Sequence, residues 1–295
     1  LRQERFRARG TGILWRQQDV DQEGPASAQE ELLRQVSGHQ GQERPYFGQL
    51  LVKTHVGMLT VAWFSAGVSS AVATKLAIKE IDRIIYAHID DQHPDTLRFV
   101  ADCQEWFGKP VERLQGRYKD VATACKMSGG RGYINGPSGA ACTKFLKRRV
   151  RQEWEMTVKV PLRYVWGMDY DEADRADKLL DSMPKQEHVF PLIDHQMTKE
   201  QAHEVLKASG IKRPAMYDLG YNNNNCVGCV KGGMGYWNKI RQDFPEVFRK
   251  RAKLEREVGA SCIKGVYLDE LDPSKGRHSK PIVGDCGILC ELIKI

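Results

Sequence analysis

No stretch of the 295-residue chain approaches the run of about 18 apolar residues that a membrane-spanning helix requires. The first residues are rich in Arg and Gln and lack the apolar centre of a secretory signal. No internal repeat is visible, which argues against a solenoid. From these absences we expect a cytoplasmic protein with no membrane partner. In that setting the eight cysteines suggest metal binding or thiol chemistry more than a disulfide framework. The hydrophobic fraction of 41% is enough to build a sizeable core without such staples. A formal net charge of +7 tilts the surface towards anionic partners, such as nucleotides, sulfate or nucleic acid.

Residues 1–57 contain no Cys and no Met. At Met58 the text changes to Met-Leu-Thr-Val-Ala-Trp-Phe, a buried-strand run. We therefore expect Met58 to be the natural start and 1–57 to be an extension, with a short helix near 29–36 and no assigned function. A natural start upstream of Met58, found by N-terminal sequencing of the native protein, would refute this.

From Met58 onward, strands and helices alternate. The pattern predicts strands over 59–64, 83–89, 111–114 and 163–167, and helices over 71–80, 95–107, 118–127, 142–157 and 172–180. The Gly-rich text at 128–140 reads as loop. This rhythm implies an α/β fold: a doubly wound, mostly parallel sheet with helices on both faces. Ligands in such sheets lie at the carboxyl ends of the strands. From about Pro191 the text is less regular and forms a Cys-containing C-terminal region of the same 58–295 domain. There Thr198, with Gln201 three residues later, predicts a capped helix over 198–209 that Gly210 ends. A further helix is expected around 236–257.

Ser65-Ala66-Gly67-Val68-Ser69-Ser70 lies between the first strand and a helix. Small residues let the backbone approach a phosphate or sulfate, and Ser hydroxyls with helix N-terminal amides can bind it. An ordinary strand-to-helix turn would read the same way. The segment resembles the loop of the PP-loop superfamily, whose ATP pyrophosphatases carry Ser-Gly-Gly-x-Asp-Ser. Here Ala66 replaces a Gly, Ser69 replaces the Asp, and the Lys often found before that Asp is missing. These departures weaken the case for ATP cleavage and fit the phosphoadenylyl-sulfate (PAPS) reductase branch, where the loop cradles a sulfonucleotide.

Other landmarks resemble that family in the same order. His88-Ile89-Asp90-Asp91 precedes Pro94-Asp95-Thr96 and is similar to its second-strand motif, which implies that Asp90 or Asp91 meets the adenosine. A loop-capping Asp pair is the plainer reading. Gly167 with Glu172 and Arg175 resembles its Gly-x-x-x-x-Glu-x-x-Arg stretch. Pro191-Leu192 and Tyr217-Asp218-Leu219-Gly220-Tyr221 before Cys226 resemble a further passage, and the likeness spans about 58–290.

Cys226-Val227-Gly228-Cys229 has the spacing that lets two thiolates hold one metal or one cluster. Cys142, followed by Lys144 and Lys147, resembles the family's cluster-binding Cys-Cys and basic helix, although Ala141 replaces one cysteine. The resemblance implies a 4Fe-4S cluster on Cys142, Cys226 and Cys229, with Cys290 or Cys262 as a fourth ligand or one iron left open. Zinc, or no metal, remains the alternative. Cys103 and Cys125 fall on expected helices and read as core.

Asp285-Cys286-Gly287-Ile288-Leu289-Cys290 resembles the reductase tail Glu-Cys-Gly-Ile-His, whose Cys attacks the sulfur of the sulfonucleotide. The family's His is replaced by Leu289, so Cys286 reads equally as nucleophile or metal ligand. The resemblance also implies Lys144 and Arg277 as contacts for the substrate anion, and a thioredoxin-type reductant as partner. Three functions follow as expectations. The first is thiol-dependent reduction of an adenylyl sulfate to sulfite. The second is ATP-dependent sulfur transfer to a nucleic acid, and the third a non-catalytic nucleotide-binding module.

Overall fold

The computed structural model describes residues 57–127, 132–136 and 139–276. The segment 1–56, including the helix expected near 29–36, lies outside them. Five parallel strands form the central sheet: β1 (Leu59–Phe64), β2 (Arg83–Ala87), β3 (Val111–Leu114), β6 (Leu162–Val165) and β7 (Glu187–Val189), in the order β3-β2-β1-β6-β7. Between them, β4 (Asn135–Gly136) and β5 (Gly139–Ala140) make a small antiparallel pair. The chain first winds outward from β1 through β2 to β3, then returns to pair β6 with the other edge of β1. This reversal between β1 and β6 opens a crevice at the strands' carboxyl ends, the place where α/β sheets bind ligands.

Alternation along β1 explains why both sheet faces are covered. Ala62 and Phe64 join one buried cluster, with residues of α1 (Val68–Leu76), α2 (Asp95–Phe107) and α8 (Lys199–Ala208). Val61 and Trp63 point the other way and join Trp154 of α5 (Arg149–Glu155) and Leu179 of α6 (Ala173–Ser182).

A third cluster lies off the sheet. Here α3 (Val121–Lys126), α4 (Ala141–Thr143), α10 (Met234–Asp243) and α11 (Pro245–Val258) pack around Trp237, Ile240 and Cys226. The short helices α7 (Pro191–Asp194) and α9 (Ala215–Asp218) complete the set that bears on the site. No helix among the described residues is long and apolar enough to cross a membrane.

Two expected helices are interrupted. The one over 142–157 begins as α4, passes through a π-turn at Lys144–Arg148 and continues as α5. The one around 236–257 breaks at Phe244 (φ −136°, ψ 63°), because Pro245 starts α11 and has no N–H to continue the ladder. Cys103 and Cys125 are fully buried, as expected of core residues.

Candidate nucleotide site

The loop between β1 and α1 sits at the sheet's reversal point and is fastened mainly by its own serines. Ser65 N–H donates to Ser70 Oγ at 3.1 Å, and the Ser65 hydroxyl reaches the same oxygen at 2.8 Å. Gly67 N–H donates back to Ser65 Oγ at 3.2 Å, and Ser70 Oγ donates to the Gly67 carbonyl at 3.1 Å. Both serine hydroxyls therefore hold the loop's shape. Ser69 Oγ is buried in the first turn of α1 with no hydrogen-bond partner among the described residues. The first amides of a helix likewise lack intrahelical acceptors and carry the positive end of its dipole. Ala66 has φ +60°, a left-handed backbone that favours glycine and lets the chain turn sharply here.

Gly167, just beyond β6, closes the loop from the adjoining strand. A side chain there would place its Cβ 2.3 Å from Ser70 Cα. The glycine is thus required by the close approach of strand end and helix. Beyond it, Asp169 and Glu172 form a capping box, and Glu172 also pairs with Arg175. The two charged residues of the family-like stretch thus bind one another.

At the end of β2, Asp90 and Asp91 part company. Asp90 is half exposed and accepts from Gln115 Nε2 at 2.7 Å, with His88 Nε2 at 3.3 Å. Asp91 takes the loop-capping role. Its Oδ2 accepts from Val121 N–H at 2.7 Å and its Oδ1 from the buried Arg251 Nη2 at 3.0 Å. Its carbonyl accepts from Val227 N–H at 2.8 Å, which ties the β2 loop to the Cys226–Cys229 turn. Both carboxylate oxygens of Asp91 are therefore engaged internally.

The π-turn changes which lysine faces inward. Lys144 is exposed and lies over the Phe145 ring, 5.1 Å from its centroid. Lys147 is buried, at 3% exposure. It lies, with Arg113 and Cys226, within electrostatic range of the buried Tyr86 hydroxyl at the end of β2. Tyr86 donates to Gln92 Oε1 at 2.5 Å and is held well above the usual tyrosine range, chiefly by burial. The inward cation was hidden from a helical reading because the π-turn inserts an extra residue into the repeat.

The Cys226–Cys229 turn is a tight knuckle. Gly228 takes φ +73°, and Tyr236 Oη accepts from Cys229 N–H at 2.8 Å while donating to the Cys226 carbonyl at 3.3 Å. Cys142, Cys226, Cys125 and Cys262 belong to the same buried cluster. Burial pushes the Cys125 thiol up to about 12 and the Cys262 thiol higher still, so both are protonated at neutral pH. Among the described residues, no three His, Cys, Asp or Glu side chains stand close enough to hold one metal ion. Arg277, Cys286 and Cys290 lie outside the described residues.

Sequence reading missed a cleft of about 460 Å³ beside the loop, lined by Asp169, Glu172, Lys199, His203, Arg213 and Tyr217 among others. Tyr217 joins the two features, since its Oη accepts from Val68 N–H at 3.3 Å. His203 packs edge-on against Tyr217 at 4.8 Å, and burial, aided by Arg213 and Lys199, lowers its pKa to about 4. The imidazole is thus neutral at neutral pH, while Lys199 and Arg213 supply positive charge and Asp169, Asp171, Glu172 and Glu200 negative charge. The Tyr217-to-Tyr221 passage was the available signal, because its residues line this cleft.

Comparison with protein-family models finds no match, and comparison with curated proteins finds none either.

Proposed function

We propose that this chain binds an adenine nucleotide bearing a sulfate or phosphate, and that it reduces an adenylyl sulfate to sulfite with a thiol. The observation that carries the nucleotide part is the 65–70 loop: a pre-fastened turn at the β1/β6 reversal, with helix N-terminal amides behind it and Gly167 pressed against it. The buried Lys147 suits an anionic ligand. The PAPS reductase resemblance supplies the chemistry.

In this reading the Cys286 thiolate attacks the sulfate sulfur. An S–S bond forms as the S–O bond to phosphate breaks, and the nucleotide leaves with that bond's electron pair. A thioredoxin-type dithiol then attacks the Cys286 sulfur and releases sulfite, which takes the S–S electron pair. The donor's second thiol closes its disulfide and frees Cys286, so two electrons pass from the dithiol to the sulfate sulfur.

Calorimetric titration with adenosine 5′-phosphosulfate, its 3′-phosphorylated form, AMP and ATP tests the binding. A dithiol-dependent sulfite assay tests the chemistry. We expect sulfonucleotide binding, sulfite release, and loss of release in Cys286→Ser. Failure of all four nucleotides to bind would refute the nucleotide reading. Full sulfite production by the Cys286→Ser protein would refute the thiol mechanism, and pyrophosphate release from ATP would redirect it to sulfur transfer.

A further inference from the structure

The run Asn222 to Asn225 takes no part in the chemistry above, yet Asn223, Asn224 and Asn225 are buried. Burying consecutive amides is unfavourable unless each finds hydrogen bonds, so these bonds indicate what the run does. Asn223 accepts from Lys199, a cation of the cleft. Asn224 reaches under the nucleotide loop. Its Nδ2 donates to the Ala66 carbonyl at 2.8 Å, and its amide also meets Thr96 Oγ1, with contacts of 3.2 and 3.3 Å.

Ala66 is the loop residue in the left-handed region. A non-glycine residue stays there only when its surroundings dictate it. The Ala66 carbonyl and the Gly67 N–H share one rigid peptide plane. Holding the carbonyl therefore aims the N–H, which donates to Ser65 Oγ, and Ser65 in turn holds Ser70. An unbroken line of bonds thus runs from Thr96 on α2 through Asn224 to the first turn of α1.

We propose that Asn224 is a positioning residue for the nucleotide loop, acting through the Ala66–Gly67 peptide to set the loop before the anion arrives. The proposal rests on the nucleotide-binding reading above. Asn224→Ala frees the Ala66 carbonyl and lets the peptide plane rotate. Affinity then falls about tenfold, the equivalent of ~1.4 kcal/mol.

The distinguishing variant is Asn224→Ala combined with Ala66→Gly. Glycine adopts positive φ without a steric penalty, so the loop keeps its turn without its anchor and recovers at least half of the lost binding energy. A merely structural role for Asn224 would lower thermal stability without such rescue. The experiment titrates AMP and adenosine 5′-phosphosulfate into the wild-type chain, both variants and Thr96→Val, with an unfolding curve for each. Thr96→Val removes the outer anchor while keeping the shape, and is expected to weaken binding about threefold.

Binding within twofold of wild type by a folded Asn224→Ala protein overturns the proposal, as does a double variant that binds no better than the single one. If Asn224→Ala fails to fold, unchanged affinity in Thr96→Val overturns it. Absence of nucleotide binding by the wild-type chain overturns the nucleotide reading and this proposal with it. Weakened binding in Asn224→Ala and Thr96→Val that the double variant recovers supports both.

Discussion

Gly167→Ala is the most direct probe of the site, because the clash it creates falls on backbone. The added Cβ would lie 2.3 Å from Ser70 Cα, 2.5 Å from Ser70 Cβ and 2.7 Å from Ser70 N. Carbon atoms rest at roughly 3.5–4.0 Å, so β6 and the first turn of α1 must separate by more than about 1 Å. None of the three atoms belongs to a flexible side-chain end that can swing away. Overpacking of this kind costs about 1–3 kcal/mol of stability. The displaced turn carries Ser70, which holds Ser65, so the loop opens as the helix moves. A misplacement near 1 Å can cost about 100-fold in a positioned site, and we expect nucleotide affinity to fall by about 10- to 100-fold. Urea unfolding measures the first effect and calorimetric titration the second. A folded Gly167→Ala protein with wild-type affinity would refute the argument that this contact shapes the anion site.

Three further perturbations test the frame around it. Arg251→Met leaves the half-buried Asp91 without its cation, and should lower unfolding free energy by about 1–3 kcal/mol in urea melts; a loss under about 0.5 kcal/mol would show the pair to be dispensable. Gly228→Ala must hold φ +73° with its Cβ 2.7 Å from Val247 Cγ1, so we expect destabilisation of about 1–3 kcal/mol and faster alkylation of Cys226 and Cys229 by iodoacetamide. Unchanged alkylation would show that Gly228 does not keep the knuckle closed. His203, with its pKa lowered from 6.5 to about 4, takes up a proton more readily when unfolded. Stability should therefore hold above pH 6.5 and decline as pH falls towards 4, by roughly 1–2 kcal/mol after allowance for its partial exposure. The decline should shrink in His203→Gln, and equal slopes in the two proteins would count against this assignment.

The sheet was legible where local pattern and tertiary role agree. An apolar run marks β1, both β1 and the weaker strand β3 have the same bounds in sequence and structure, and Thr198 with Gln201 forms the expected capping box. The edge strand β7 escaped notice because its three residues, Glu187 to Val189, carry charge and too little apolar text. The break before α11 was signalled by Pro245 but outweighed by the helical spacing of charges on either side. Register was harder to read. No periodicity announces a π-turn, so the resemblance points to Lys144 as the anion contact, whereas Lys147 is the lysine that is buried. The site itself was half visible. Ser65 to Ser70 and Gly167 stand in recognisable local text, whereas the anchor Asn224 and the cleft's Lys199, His203 and Arg213 come from segments more than a hundred residues beyond the loop. Only tertiary folding brings them together.

The late arrival of β6 has a consequence for how the chain matures. β1 can pair with β2 as soon as the crossover through α1 is made, but its other edge has no partner strand among the described residues until residue 162 and beyond have been synthesised. During that interval the apolar strand Leu59–Phe64 presents an open row of backbone donors and acceptors, a template on which another chain can add. Loop closure over such a long separation also slows folding. A cell that makes this protein quickly, or a fragment ending before Leu162, would therefore meet aggregation at β1 before any defect in ligand chemistry.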